Sequence, residues 1–268
     1  MRLTLAAAAI GLAFSAPALA DNATINQSGI DNYAAIEQQN ADGSSARINQ
    51  SGERNHAGAA ASGDAAATQG IRQVNASFSS AQIDQRGNDN EASIHQQDVF
   101  NVYWSRIVQG ESFASNRNSG RIEQSSLRNS FAEIFQDRAN DNSALVNQTG
   151  ESHYGQIVQG AWRWNGFWAF TGTPANNNNA SVLQSGDHQS SIVNQLGDNN
   201  SGHSNQSGSW GDSIIIQEGN FNFALVLQHG SGADSGDRNV ARITQTGSNH
   251  SATANQSGMG NTALINQH

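Results

Sequence analysis

The feature that most limits how this chain can fold is a unit that returns every eleven residues and alternates residue types at period two. Ala23-x-Ile25-x-Gln27-x-Gly29-x-x-Asn32-x-Ala34-x-Ile36-x-Gln38 contains it twice, with the glutamines eleven apart. It returns as Ala46, Ile48, Gln50, Gly52, Asn55 and Ala57, and again as Ala81, Ile83, Gln85, Gly87, Asn90, Ala92, Ile94 and Gln96. From Gln184 the step is strict: Gln195, Gln206, Gln217 and Gln228 follow at eleven, and Gln245, Gln256 and Gln267 resume it. Looser copies place Gln73, Gln109, Gln124, Gln136, Gln148 and Gln159, with Ala61 at a glutamine position, for about twenty units in all. Self-similarity of this extent is the mark of a repeat architecture.

Period-two alternation is the pattern of a strand with one buried face, so Ala23, Ile25 and Gln27 are expected on one side. The Gly29-to-Asn32 step is odd, which flips parity and lets the next strand face the same interior. Gly and Asn tolerate the backbone angles such a corner needs. The expected fold is all-β: a two-sheet β-solenoid of about ten coils of roughly 22 residues, two strands per coil. At about 4.8 Å per coil the rod would be on the order of 50 Å long. Stacking sets like above like, with Ile and Val in apolar columns and the amides in hydrogen-bonded ladders. The residues expected to build the ladders and to drive self-assembly are Gln27, Asn32, Gln38, Gln50, Asn55, Gln85, Asn90, Gln96, Gln148, Gln159, Gln184, Gln195, Gln206, Gln217, Gln228, Gln245, Gln256, Asn261 and Gln267.

Composition supports a polar repeat. The chain holds 32 Asn and 25 Gln, two Pro, no Cys and no Lys. Without cysteine there is neither a disulfide framework nor a Cys-based zinc site. A net charge of −9 with no lysine argues against nucleic acid as a partner. Residues 1–20 read as a secretion signal: Arg2, an apolar run from Leu3 to Phe14, and Ala18-Leu19-Ala20 before a mature start at Asp21. No transmembrane segment is expected, because no later run approaches the length a span needs. The expected organisation is a signal at 1–20 and a solenoid over 21–268. The units run regularly to both ends with no sequence for a cap, so each end coil is expected to template another molecule.

The motif Gln85-x-Gly87-x-x-Asn90-x-Ala92-x-x-x-Gln96 resembles the repeat of the curlin family, the subunits of bacterial curli fibres, and Gln27 to Gln38 and Gln256 to Gln267 resemble it equally. Asp31 and Asp89 stand where the family repeat has its second glycine. The resemblance implies an extracellular functional amyloid, secreted through the periplasm, that forms a cell-surface fibre for adhesion and biofilm. It also implies as partners further copies of itself, another curlin subunit, and an outer-membrane curli export pore with its adaptors. Major fibre subunit and minor nucleating subunit both fit. A monomeric secreted β-solenoid that binds glycan or a surface through an aromatic loop is the alternative from another class.

That loop is the largest break in the repeat, an insertion at about 160–179 containing Trp162, Trp164, Phe167, Trp168 and Phe170. It is read either as a partner contact or as local packing onto the outer face. Ile214, Ile216, Leu225 and Leu227 lie on the outward parity, which would make that part of the rod apolar on both sides. Nothing points to an enzyme. The eight histidines form no His-x-x-x-His pair, and no Gly-x-Ser-x-Gly or phosphate loop occurs, so no catalytic residue, metal or cofactor is expected.

Overall fold

In the computed structural model, the described residues are 21–58, 70–111, 114–160, 162–164, 167–169, 174–231 and 234–268; of 162–164 and 167–169 only the backbone is described. Residues 1–20, where a signal is expected, Ala61 and Phe170 lie outside these residues.

The chain winds as a two-sheet β-solenoid. Ten strands stack parallel in a first sheet, from Asn22–Ile30 through Ser45–Glu53 and onward to Asn239–Thr246 and Thr262–Gln267. Nine levels stack in the second, where the last three are Ser201–Ser209, Phe223–Ser231 and Ser251–Ser257. The chain alternates between the sheets, giving nine full turns and one further strand. Pairing is in register, like over like: Ala23, Ile25, Gln27 and Gly29 sit against Ala46, Ile48, Gln50 and Gly52.

One apolar core runs the length of the rod between the sheets. The first sheet contributes the column Ile25, Ile48, Ile83, Ile107, Ile134, Ile157, Val193, Ile215, Ile243 and Ile265. The interior members are fully buried, and each Ile side chain stabilises the fold by roughly 2 to 3 kcal/mol on the burial scale. Ala, Ser or Gly fills the position nearer the turn, where the two sheets approach.

Each regular corner combines a glycine with a left-handed residue two positions on, as at Gly29 (φ 109°) and Asp31 (φ 54°). Glycine is required there by contact as well as by φ. A Cβ on Gly186 would lie 1.9 Å from the carbonyl oxygen of Gly208 in the next coil, and one on Gly208 would lie 1.8 Å from that of Gly230.

Insertions leave the stack without changing its register. The second coil pairs through His56–Ala57 before residues 59–69 and through Ile71–Val74 after them, so the chain departs and re-enters within one strand level. Gln73 fills the glutamine position of that level. In the aromatic insertion Trp162–Trp164 pairs antiparallel with Phe167–Ala169, and Ala175–Asn176 is back in the stack against Ala139–Asn140. The stretch 99–102 is a structured turn: Val99 and Val102 join Ala41, Ala76 and Leu127 in a small second core.

Candidate functional site

The glutamines form two continuous ladders. In the first sheet each Nε2 donates to the next Oε1, from Gln27 to Gln50 (2.7 Å), then Gln85, Gln109, Gln136, Gln159, Gln195, Gln217, Gln245 and Gln267. In the second the order is Gln38, Gln73, Gln96, Gln124, Gln148, Gln184, Gln206, Gln228 and Gln256. Most of these Nε2 groups also donate to a backbone carbonyl of the facing strand, as Gln217 does to Ser201 at 3.0 Å and Gln256 to Val240 at 2.9 Å. That second bond fixes which way each amide points. Both ladders therefore run in one direction, with donors facing the C-terminal end and acceptors the N-terminal end. A buried carboxamide without such partners would cost about 1 to 3 kcal/mol.

The two turn edges differ. Where the first sheet passes into the second, Asn32, Asn55, Asn90, Asn118, Asn142, Asn178, Asn200 and Asn222 stand in one column. Each next backbone N–H donates to the Oδ1 below it, and His250 N–H closes the series on Asn222. The Asn Nδ2 groups reach turn carbonyls, as Asn90 does to Ser115 (2.6 Å) and Asn200 to Gly219 (2.8 Å). Two residues earlier runs a second ladder of opposite sense. There the backbone N–H of Glu53, Asn88, Asn116, Asn176 and Asp198 donates to the side chain one coil on: Asn88, Asn116, Asn140, Asp198 and Asn220 respectively. Between these ladders lie the left-handed residues, beginning Asp31, Arg54, Asp89, Arg117 and Asp141. Their charges alternate, with Arg54 to Asp89 at 2.7 Å and Arg117 to Asp141 at 2.6 Å. The arginines hold both carboxyls below the usual carboxylate range.

The opposite edge has no single residue type. Ser44 accepts from Ser79 N–H and Ser130 from His153 N–H, Gln189 occupies the same place further on, and Asn261 N–H donates to Asn239. Asn261 thus lies across the rod from Asn32, Asn55 and Asn90. Burial, the largest cause, pushes His153 below the usual imidazole value, and His95 and His203 shift the same way.

The second Asx ladder and Asn118 to Asn222 were absent from the sequence expectation. An Asx-x-Asn spacing repeated in the turns, as in Asn88-x-Asn90 and Asn220-x-Asn222, carries that signal.

Outward positions form no reactive cluster among the described residues, and no three His, Asp or Glu gather there as metal ligands. No helix there is long and apolar enough to cross a membrane. Outward Ile214, Ile216, Leu225 and Leu227 are half-buried, whereas outward Val108, Phe135 and Val158 are buried as a separate apolar cluster. Trp162, Trp164, Phe167 and Trp168 lie on the antiparallel pair between Gly160 and Ala175.

Residues 236–268 match the family model of the curlin associated repeat. The C-terminal segment therefore carries a curlin associated repeat. The matched repeat supplies the last strands of both sheets, and the same register carries its Gln and Ala columns into the earlier units. No curated protein matches the chain.

Proposed function

We propose that this chain is a structural subunit of an extracellular, curli-like amyloid fibre that serves adhesion and biofilm formation, grows by templated addition of further copies, and is exported through the periplasm by way of an N-terminal signal. The observation that carries the proposal is the pair of directional glutamine ladders running from the first described coil to the last. Inward Ile25, Ile36 and Ile265 are only partly buried there, against complete burial of Ile48 and Ile243. Parallel edges with unpaired backbone groups and exposed amide columns favour addition of an identical surface.

The test is assembly of the purified mature chain at micromolar concentration. Thioflavin-positive fibres with a 4.8 Å meridional reflection are expected. A protein that stays monomeric for days and yields neither signal overturns the proposal.

A further inference from the structure

The strand count sets a condition on how two copies can meet. Among the described residues the path begins in the first sheet at Asn22–Ile30 and ends in the same sheet at Thr262–Gln267, ten strands against nine. Suppose a second copy set its Asn22–Ile30 strand directly on Thr262–Gln267. One level of the second sheet would then be missing between Ser251–Ser257 and the incoming Tyr33–Gln39 stretch. That gap of about two strand spacings, roughly 9.6 Å, would leave both edges unpaired.

We propose that successive copies instead exchange sheets. Asn22–Ile30 of the incoming copy docks on Ser251–Ser257 in the second sheet, and its Tyr33–Gln39 stretch docks on Thr262–Gln267 in the first, so neighbours along the fibre are related by about a half-turn around its axis. This deepens the fibre reading and rests on it.

Three further observations fit the exchanged register. Ala23, Thr24, Asn26, Gln27, Ser28 and Gly29 fall on Ala252, Thr253, Asn255, Gln256, Ser257 and Gly258, six identical residues, while Ala34, Ile36 and Gln38 fall on Ala263, Ile265 and Gln267. The amide ladders are directional. Gln256 and Gln267 each present Nε2 toward the far end, having used one N–H on Val240 or Ser251, and Gln27 and Gln38 present Oε1 at the near end. Head-to-tail contact therefore joins donor to acceptor on both ladders, whereas head-to-head contact sets like on like. Finally, the incoming corner Gly29 to Asn32 lands on Gly258 to Asn261. There Asn261 Oδ1 is placed to accept Asn32 N–H, as Asn32 Oδ1 accepts that of Asn55. In direct stacking the same corner would overhang the His250 turn, which lies below the last strand.

The exchange has a visible consequence. The aromatic hairpin between Gly160 and Ala175 would appear on alternate sides of the fibre, with an axial repeat of about 91 Å, against about 48 Å for direct stacking.

Because the chain has no cysteine, paired substitutions read the register cleanly. Asn26, Asn255 and Asn266 are exposed and outward. In-register parallel neighbours lie within the Cα separation a disulfide spans. Fibres of Asn26→Cys/Asn255→Cys, oxidised after assembly and then dissolved, should yield a ladder of covalent oligomers. Fibres of Asn26→Cys/Asn266→Cys should yield monomer. The reverse result overturns the half-turn and leaves the fibre reading intact. Fibres of both variants in which neither pair links overturn end-to-end docking, and failure of the wild-type chain to assemble overturns the fibre reading itself. Should either variant assemble poorly, the axial repeat of wild-type fibres decides between about 91 and 48 Å.

Discussion

The two turn edges of the rod solve one problem by different means. Each must turn the chain once per coil of about 22 residues while stacking on copies of itself, and both use positive-φ residues to do it. The first-to-second-sheet edge adds two Asx ladders of opposite sense, so its turn N–H groups are met by a side chain from a neighbouring coil. The opposite edge fills the equivalent inward place with Ser, His, Gln or Asn, and two of those side chains leave a polar atom buried without a partner: Gln189 Oε1 and His153 Nδ1. Backbone geometry is thus common to both edges, and hydrogen-bond continuity belongs to one. The asparagine edge holds register between coils, and the mixed edge tolerates variation.

The shared requirement gives the largest expected effect. Gly208→Ala should destabilise the fold by about 3 kcal/mol or more, because strain at positive φ adds to a Cβ that overlaps the Gly230 carbonyl. Gly219→Ala at the other edge should cost as much, since its Cβ meets the Gly247 carbonyl oxygen at 1.9 Å. Urea midpoints measure both, and a large difference between them would break the claim that corner geometry is common.

The next effect separates the edges. Asn200→Ala removes the acceptor of Asn222 N–H and the donor to Gly219, and should cost about 2 to 4 kcal/mol. Gln189→Ala removes donation to Ser185 and Gly208 but also deletes an orphaned buried oxygen, so its cost should be about 1 to 2 kcal/mol. Equal costs in chemical unfolding would remove the distinction.

How much of this could be read in advance follows from the same contrast. Period-two alternation fixes which face of a strand is inward, and identical residues at a constant step force in-register stacking, so Val193 over Ile215 and Gln195 over Gln217 follow from the sequence. The outer Asx ladder was not read because Asn88 and Asn116 look like ordinary polar turn residues until their coils are stacked. Nor could the stepping of glutamines place Asn261. Successive units lie on opposite edges, and only the winding shows which. The insertion at 59–69 also hid a register. It splits a strand, so Gln73 belongs to the same unit as Asn55 and Ala57, whereas a count along the chain starts a new unit between them.

Acid should act on the mixed edge and on the sheet faces. Burial favours neutral His153, so the unfolded chain binds a proton near the ordinary imidazole value before the folded chain does. Stability is therefore full above that value, falls as pH drops below it, and levels off once the lower folded value is passed. His153→Asn, which copies the opposite edge, should flatten the part of this dependence that His95 and His203 do not carry. An unchanged pH profile of unfolding would count against the buried imidazole. The smallest effect is expected at the exposed Arg–Asp column. Arg117→Gln should shift stability only slightly, and the shift should vanish at high salt.

Mass per unit length of the assembled fibre tests the central claim most directly. A solenoid that stacks end to end advances one strand spacing per coil, so each chain should occupy roughly 46 Å of a single filament, nine and a half coils at about 4.8 Å. A filament containing one chain per about 4.8 Å, as in a flat in-register amyloid, would contradict the account.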